Sequence, residues 1–392
     1  MKNRFLSIFV GIFLAVVLVF GGILGIVVGV KNARAVVKYG NVMLDEGTVN
    51  YLTSYYKMLY LKELNLSGIA AYDRASFWES EAEDGVSYGE HFKTALREYI
   101  ASVVVAADIY LGYSTYTADD KLSVALTCEQ ILKYKADGDV SLFNERCEKY
   151  GFTYEDFSNA AALLYKAQRA EVILYGEEGD NLASFPEECD KYFATYSHVA
   201  LLFIRDETLI ATDSDGNYVK DSDGNVVFRD MTDSERAERE ALAAEIREKI
   251  ANGTITPDAF EEYLAVSDGD PQMNESGYYF NQNAVTTELF AENYADVVSA
   301  SFEMQIGDYR EVDTADGICF IYKYNLAERA YENADSPFFS DFYADAVPYL
   351  YAEVLGELTP EVKFKDSYEA IDTISIPMIE EFYIREFVSE NK

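Results

Sequence analysis

Tyr196-Ser197-His198-Val199-Ala200-Leu201-Leu202-Phe203-Ile204 is the stretch on which the fold turns. Apolar, without Gly or Pro, it reads as a strand, and it follows a change of texture near Pro186. Just downstream, Asp213 to Phe228 reads as a hairpin insertion marked by two related pentapeptides, Asp213-Ser214-Asp215-Gly216-Asn217 and Asp221-Ser222-Asp223-Gly224-Asn225. Clustered carboxylates suit a hard cation, but a calcium loop of the EF-hand kind needs Gly at its sixth position and Glu at its twelfth. Neither copy supplies both, so Asp-Gly-Asn is read as turn chemistry and no metal is expected.

Two helices come next. Thr232 to Glu235 forms a capping box, Leu242, Ile246 and Ile250 recur along one stripe, and Gly253 falls where a helix would end. Thr256 caps a second helix, with Pro257 in its first turn and Phe260, Tyr263 and Leu264 on its apolar face. Gly277-Tyr278-Tyr279-Phe280 and Gly317-Ile318-Cys319-Phe320-Ile321-Tyr322 then read as strands closing a small mixed α/β unit.

On the N-terminal side, Val36 to Val42 with Gly40-Asn41 reads as a strand and turn, and Asp45-Glu46-Gly47 opens a long helical region reaching about Tyr175. Phe92, Leu96, Tyr99 and Ile100, then Phe143, Cys147 and Tyr150, show helical spacing. Tyr51, Tyr55, Tyr56 and Tyr60 offer large contact area with a polar tip. Core packing accounts for most such rings, and a client-binding groove would use the same ones. On the C-terminal side Pro337 to Leu358 reads as an amphipathic helix packing back on the N-terminal body, followed by Val362-Lys363-Phe364 and Ile371 to Ile379 as a strand or extended tail.

From Phe5 to Val30 the chain runs 26 residues without a charge, preceded by Lys2 and Arg4. As a helix at ~1.5 Å per residue this is roughly 39 Å, enough to span a ~30 Å hydrocarbon core with tilt. Ala33-Arg34-Ala35 offers a small-x-small cleavage pattern, so anchor and cleaved signal both stay open. Lys2 and Arg4 favour a cytoplasmic N-terminus, against which Lys31, Arg34 and Lys38 pull. The expectation is a single-pass protein of the cell membrane with its body on the extracytoplasmic side. Asp and Glu total 69 against 32 Lys and Arg, a net charge of -37, which excludes nucleic-acid binding through a basic face. Cys128, Cys147, Cys189 and Cys319 form no C-x-x-C pair, so zinc and thiol-redox motifs are absent. Outside the cytoplasm a Cys128–Cys147 disulfide is one state and buried free thiols the other.

The order strand, long helix, short helix, Ser267-Asp268-Gly269-Asp270 loop, Ser276-Gly277-Tyr278-Tyr279-Phe280 strand, helix and closing strand is that of a parvulin domain. Residues 196–324 resemble that peptidyl-prolyl isomerase family. Ser197-His198-Val199 is similar to its opening S-H-I/L motif, Ser301-Phe302-Glu303-Met304 with Ile306-Gly307 to its A-F-x-L-x-x-G segment, and Gly317 to Ile321 to its closing G-Y/I-H-I-I, with Cys319 at the second histidine. The rest of the chain more loosely resembles PrsA and SurA foldases.

That resemblance implies an α+β protein: an N-terminal transmembrane helix, a mostly helical chaperone domain built from both chain ends, and an inserted parvulin-like domain. The expected divisions are 1–34, anchor or signal segment; 35–189, helical chaperone domain; 190–326, isomerase domain; and 327–392, C-terminal helix and tail. It implies a catalytic group of His198, Cys319, Asp268 and Asp270, and a proline-gripping wall of Phe290, Phe302, Tyr279 and Phe280. No cofactor or metal is needed, because an apolar hollow and a preorganised hydrogen-bonding pair suffice to favour the twisted amide. Partners would be unfolded or newly exported polypeptides and X-Pro peptides, with a homodimer left open. Each residue also has a plainer reading: His198 as a hydrogen-bonded core histidine, Asp268 and Asp270 as loop caps, Cys319 as a small buried apolar side chain. With one histidine of the pair replaced, isomerase and non-catalytic holdase both stand, and an adhesive surface protein is the third class.

Overall fold

The computed structural model describes residues 33–65, 75–82, 85–214, 218–222, 226–269, 277–333 and 337–388. Apart from Ala33 and Arg34, the expected anchor lies outside the described residues, among which no helix is long and apolar enough to cross a membrane. The chain divides into two compact units, one from residues up to Gly176 together with Tyr351 onward, the other Glu177–Leu350. These boundaries correct the expected ones at 189/190 and 326/327, because residues 177–193 and the first half of the helix after 327 pack with the inserted unit.

The first unit opens with the hairpin β1 (Val37–Tyr39) and β2 (Val42–Leu44) and continues through α1 (Glu46–Glu63), α2 (Ala75–Glu79), α3 (Tyr88–Tyr113), α4 (Ala118–Ala136), α5 (Val140–Cys147) and α6 (Tyr154–Tyr175). Local chemistry sets the helix starts. Asp45 accepts the Thr48 amide at 3.0 Å, and Thr117 with Asp120 and Thr153 with Asp156 form capping boxes. Phe92, Leu96, Ile100, Phe143, Phe157, Leu164 and Tyr51 fill the core between the helices, so Tyr51 is packing rather than surface. All four cysteines are free and buried, and the disulfide reading for Cys128 and Cys147 falls.

The second unit holds α7 (Pro186–Phe193), β3 (Ser197–Arg205), β4 (Thr208–Ile210), β5 (Phe228–Asp230), α8 (Asp233–Ala251), α9 (Pro257–Leu264), β6 (Tyr278–Phe280), α10 (Val285–Glu303), β7 (Tyr309–Thr314) and β8 (Gly317–Lys323). Its sheet is fully antiparallel in the order β6-β3-β8-β7. Both faces are covered. Val199, Leu201, Phe203, Cys319 and Ile321 pack against Val297, Val298 and Ala300 of α10, while Ala200, Leu202, Ile204 and Phe320 pack against Ala243 and Ile246 of α8 and Phe260 and Leu264 of α9. The tight β7–β8 turn needs Gly317, whose φ is +140° and where a Cβ would stand 2.3 Å from the Ile204 carbonyl oxygen. The expected single hairpin at 213–228 is instead a double reversal: β4 pairs with β5, and Thr212 with Tyr218 and Lys220 with Val226 form bridges inside them.

Helix α11 (Pro337–Leu358) begins in this unit and ends in the first, where Tyr351 and Leu355 pack against Ala106, Tyr110 and Ala170. There β9 (Lys363–Phe364) joins β1, in the sheet order β2-β1-β9, and α12 (Asp366–Glu369) precedes an irregular C-terminal segment.

Candidate functional site

Strand register decides what the site is. His198 stands opposite Tyr279 on β6, and on the other side its carbonyl accepts the Tyr324 amide; Cys319 on β8 pairs with Phe203. His198 and Phe203 are five positions apart on β3, roughly 16 Å at ~3.3 Å per residue, and an odd separation puts their side chains on opposite faces. His198 therefore belongs to the face of α8 and α9, Cys319 to that of α10. The expected pair is not formed. Across β3 the positions beside Cys319 are Phe203 opposite it and, diagonally, Leu201 and Arg205; the first two are apolar, and Arg205 pairs with Asp316 at 3.4 Å.

The other expected residues divide the same way. Cys319, Phe280, Phe290 and Phe302 come together on the α10 face, with Phe290 lying 5.0 Å, centroid to centroid, from both Phe280 and Tyr294. Tyr279 is on the opposite face, its ring stacked on His198 at 4.0 Å and 7° and on Phe338 at 3.9 Å. His198 is further flanked by Tyr324 at 4.7 Å, and its Nδ1 lies 3.2 Å from the Asn325 carbonyl oxygen. Gly277 makes this stack possible: its φ is +74°, and a Cβ there would stand 2.6 Å from the imidazole Nε2.

Asp268 closes an edge. Pairing of β6 reaches only Ser197 to Val199, leaving the later half of β3 exposed on that side, and the Ser267–Gly269 loop takes β6's place there. Phe203 N donates to Ser267 Oγ at 3.0 Å, Arg205 N donates to Asp268 Oδ2 at 3.0 Å, and Asp268 N donates to the Phe203 carbonyl at 2.8 Å. Arg239 donates to Asp268 Oδ1 at 2.7 Å. Burial pushes the Asp268 carboxyl above its ordinary value despite the Arg205 amide and the Arg239 and Arg205 guanidiniums. The loop thereby covers the open edge of β3. Asp270 lies outside the described residues. Burial also pushes the Cys319 thiol well above its usual value, leaving it protonated and unreactive at neutral pH.

Sequence reasoning passed over Lys323 and Ser197. Lys323 Nζ donates to Ser197 Oγ and, at 2.9 Å, to the Ser301 carbonyl, and burial lowers its pKa. A serine beside a lysine resembles a nucleophile and its base. Here Ser197 is only 1% exposed and donates its own proton to the Ser301 carbonyl at 3.0 Å, so the pair is a buried polar plug. The alternation of Ser197, Val199, Leu201 and Phe203 along one face was its only trace in the sequence. Among the described residues no group of His, Cys, Asp and Glu could hold a metal ion, and Asp213 and Asp221 gather no such set.

The inserted unit is thus an α+β domain with an antiparallel sheet covered by helices on both faces. No family model matches the chain, and no curated protein matches it. Solved structures similar to it include PrsA proteins. PrsA from Bacillus subtilis is 12% identical over 72% of this chain and 90% of its own, with a TM-score of 0.20. The peptidylprolyl isomerase PrsA from Bacillus cereus is 15% identical over 75% and 97%, with a TM-score of 0.23. The foldase protein PrsA from Streptococcus pneumoniae is 10% identical over 86% and 99%, with a TM-score of 0.20.

Proposed function

We propose that this chain binds unfolded polypeptides as a foldase-type holdase and does not catalyse X-Pro isomerisation. The observation that carries the second half is the separation of His198 from Cys319 on opposite faces of the sheet, with Leu201 and Phe203 filling the positions beside the thiol. An isomerase needs oriented donors or acceptors lining a hollow that grips proline. On the α10 face the space is taken by the domain's own Leu201, Phe203, Phe280 and Phe290, and on the other His198 is stacked between aromatic rings.

The first half is supported by the parvulin-like order of elements and by the partly exposed rings of the helical unit, Tyr134 at 76% and Tyr113 at 65%. The charge of -37 keeps such a surface soluble and suits basic clients. Extracytoplasmic placement behind residues 5–30, with newly exported chains as clients, is part of the proposal and rests on the 26-residue uncharged run and the Lys2 and Arg4 before it, with Lys31, Arg34 and Lys38 pulling the other way.

A proline-peptide isomerisation assay combined with an aggregation assay tests both halves. The expected result is relaxation at the uncatalysed rate, over tens to hundreds of seconds at 25 °C, with aggregation of an unfolded client suppressed at near-stoichiometric chain. Acceleration that disappears in His198→Ala would restore the isomerase reading, and absence of any client effect would remove the holdase.

A further inference from the structure

Residues 371–388 contain no strand or helix, yet Ile376, Ile379, Phe382 and Ile384 are buried in the helical unit. Hydrogen bonds to its main chain fasten the segment, together with an ion pair between Lys149 and the Glu380 side chain at 3.6 Å. Lys57, buried in α1, donates through Nζ to the carbonyls of Thr373 at 3.1 Å, Ile374 at 3.0 Å and Ile376, and lies 4.9 Å from the Trp78 ring centroid. Ser54 donates its hydroxyl to the Pro377 carbonyl at 2.6 Å, and its backbone carbonyl accepts the Ile379 amide at 3.1 Å. Tyr51 donates to the Phe382 carbonyl at 3.4 Å, Ser123 to that of Val388, and Thr127 Oγ1 accepts the Val388 amide at 3.0 Å.

A groove that grips carbonyls and amides and offers apolar sockets, as Phe143 does to Phe382 at 4.7 Å, holds an extended chain with little regard to its sequence. Beside the segment a cleft of about 570 Å³ stays open between Ile131, Tyr134 and Lys135 of α4 and the segment's own Glu380, Tyr383 and Glu386. We infer that this groove is where the helical unit takes hold of an unfolded polypeptide, and that residues 371–388 are its resident occupant, displaced by another extended apolar segment. The segment belongs to no ladder of its own, so it can leave without breaking one. The inference rests on the holdase reading and supplies its site.

The test uses the full chain and a fluorescent synthetic peptide of residues 371–388. An occupied groove lowers apparent affinity by the fraction of molecules in which it is open, so Ile379→Asp, which loosens the occupant, should tighten peptide binding about tenfold or more. Adding Lys57→Met should cancel that gain. Ile379→Asp that stays folded by circular dichroism and binds no tighter than the unsubstituted chain overturns the inference. Should that variant unfold, native-state hydrogen exchange of the unsubstituted chain decides. Ile379 and Val388 amides exchanging through a smaller opening than those of α3 support it, and exchange only with α3 overturns it. Aggregation suppression without any peptide effect would sink this inference alone, whereas peptide binding without aggregation suppression would sink only the holdase reading.

Discussion

Cys319 faces Phe203 on one neighbouring strand and Val312 on the other, with no exposed surface. Because burial holds its thiol protonated, iodoacetamide should leave Cys319 unmodified in the folded chain at pH 8 and label it once urea unfolds the domain; peptide mass mapping distinguishes the two. Native labelling at Cys319 would mean that the α10 face opens and that the apolar plug is not permanent. The same residue marks the limit of what the sequence disclosed. Ser197-His198-Val199 and Gly317-Ile318-Cys319 could each be read as strand, and both are strands. Which face each side chain takes depends on register, and a shift of one residue moves every side chain across the sheet. Short motifs carry no record of that parity. Cys319 is a fully buried thiol and Asp268 binds the open edge of β3, whereas His198 is half-buried against aromatic rings rather than in a core.

At the scale of elements, cues within a few residues were legible because their partners are local. Asp45, Thr232 and Thr256 cap the helices they were expected to cap, and Pro257 sits in a first turn. The Lys57 bridge was not legible, since its acceptors lie more than 300 residues away in sequence. Nor were the donors to Asp120, which closes the α4 capping box and also accepts from Tyr110 at 2.9 Å and from Tyr165, on another helix, at 2.6 Å. Burial alone would raise its carboxyl, but donors from Tyr165, Thr117 and Tyr110 outweigh it and hold the group well below the usual carboxylate range. A depressed folded value means that the stabilisation is present above the unfolded value of ~4 and is lost as pH falls below it. Asp120→Asn should cost the helical unit about 1–2 kcal/mol at neutral pH and flatten its acid dependence, read from urea midpoints between pH 7 and pH 3. An unchanged acid slope would show that Asp120 is not the group that titrates.

For the molecule as a whole, the decisive fact is that one unit is continuous and the other is not. Residues 177–350 hold both faces of their sheet among themselves, so a fragment of that span should fold alone, with cooperative thermal unfolding followed by circular dichroism and resistance to limited proteolysis. A chain stopped at residue 350 should keep that fragment's transition and lose the helical unit's, because Val37 loses Phe364 as strand partner and Lys57 its three carbonyls. Retention of both transitions would contradict the division. An inserted unit was foreseeable from the change of texture at Pro186, but its limits were not, because one helix, α11, carries the chain from one unit into the other and the proline inside it, Pro348, does not end it.

The pairing of β1 with β9 also dictates a timetable. Val37 waits for Phe364 to be synthesised, a delay on the order of half a minute at ribosomal speeds of about 5–20 residues per second. During that interval the later-made insert can already be finished. The nascent molecule would mature from its middle outward, its amino-terminal helices themselves an unfinished surface in need of protection until the last residues arrive.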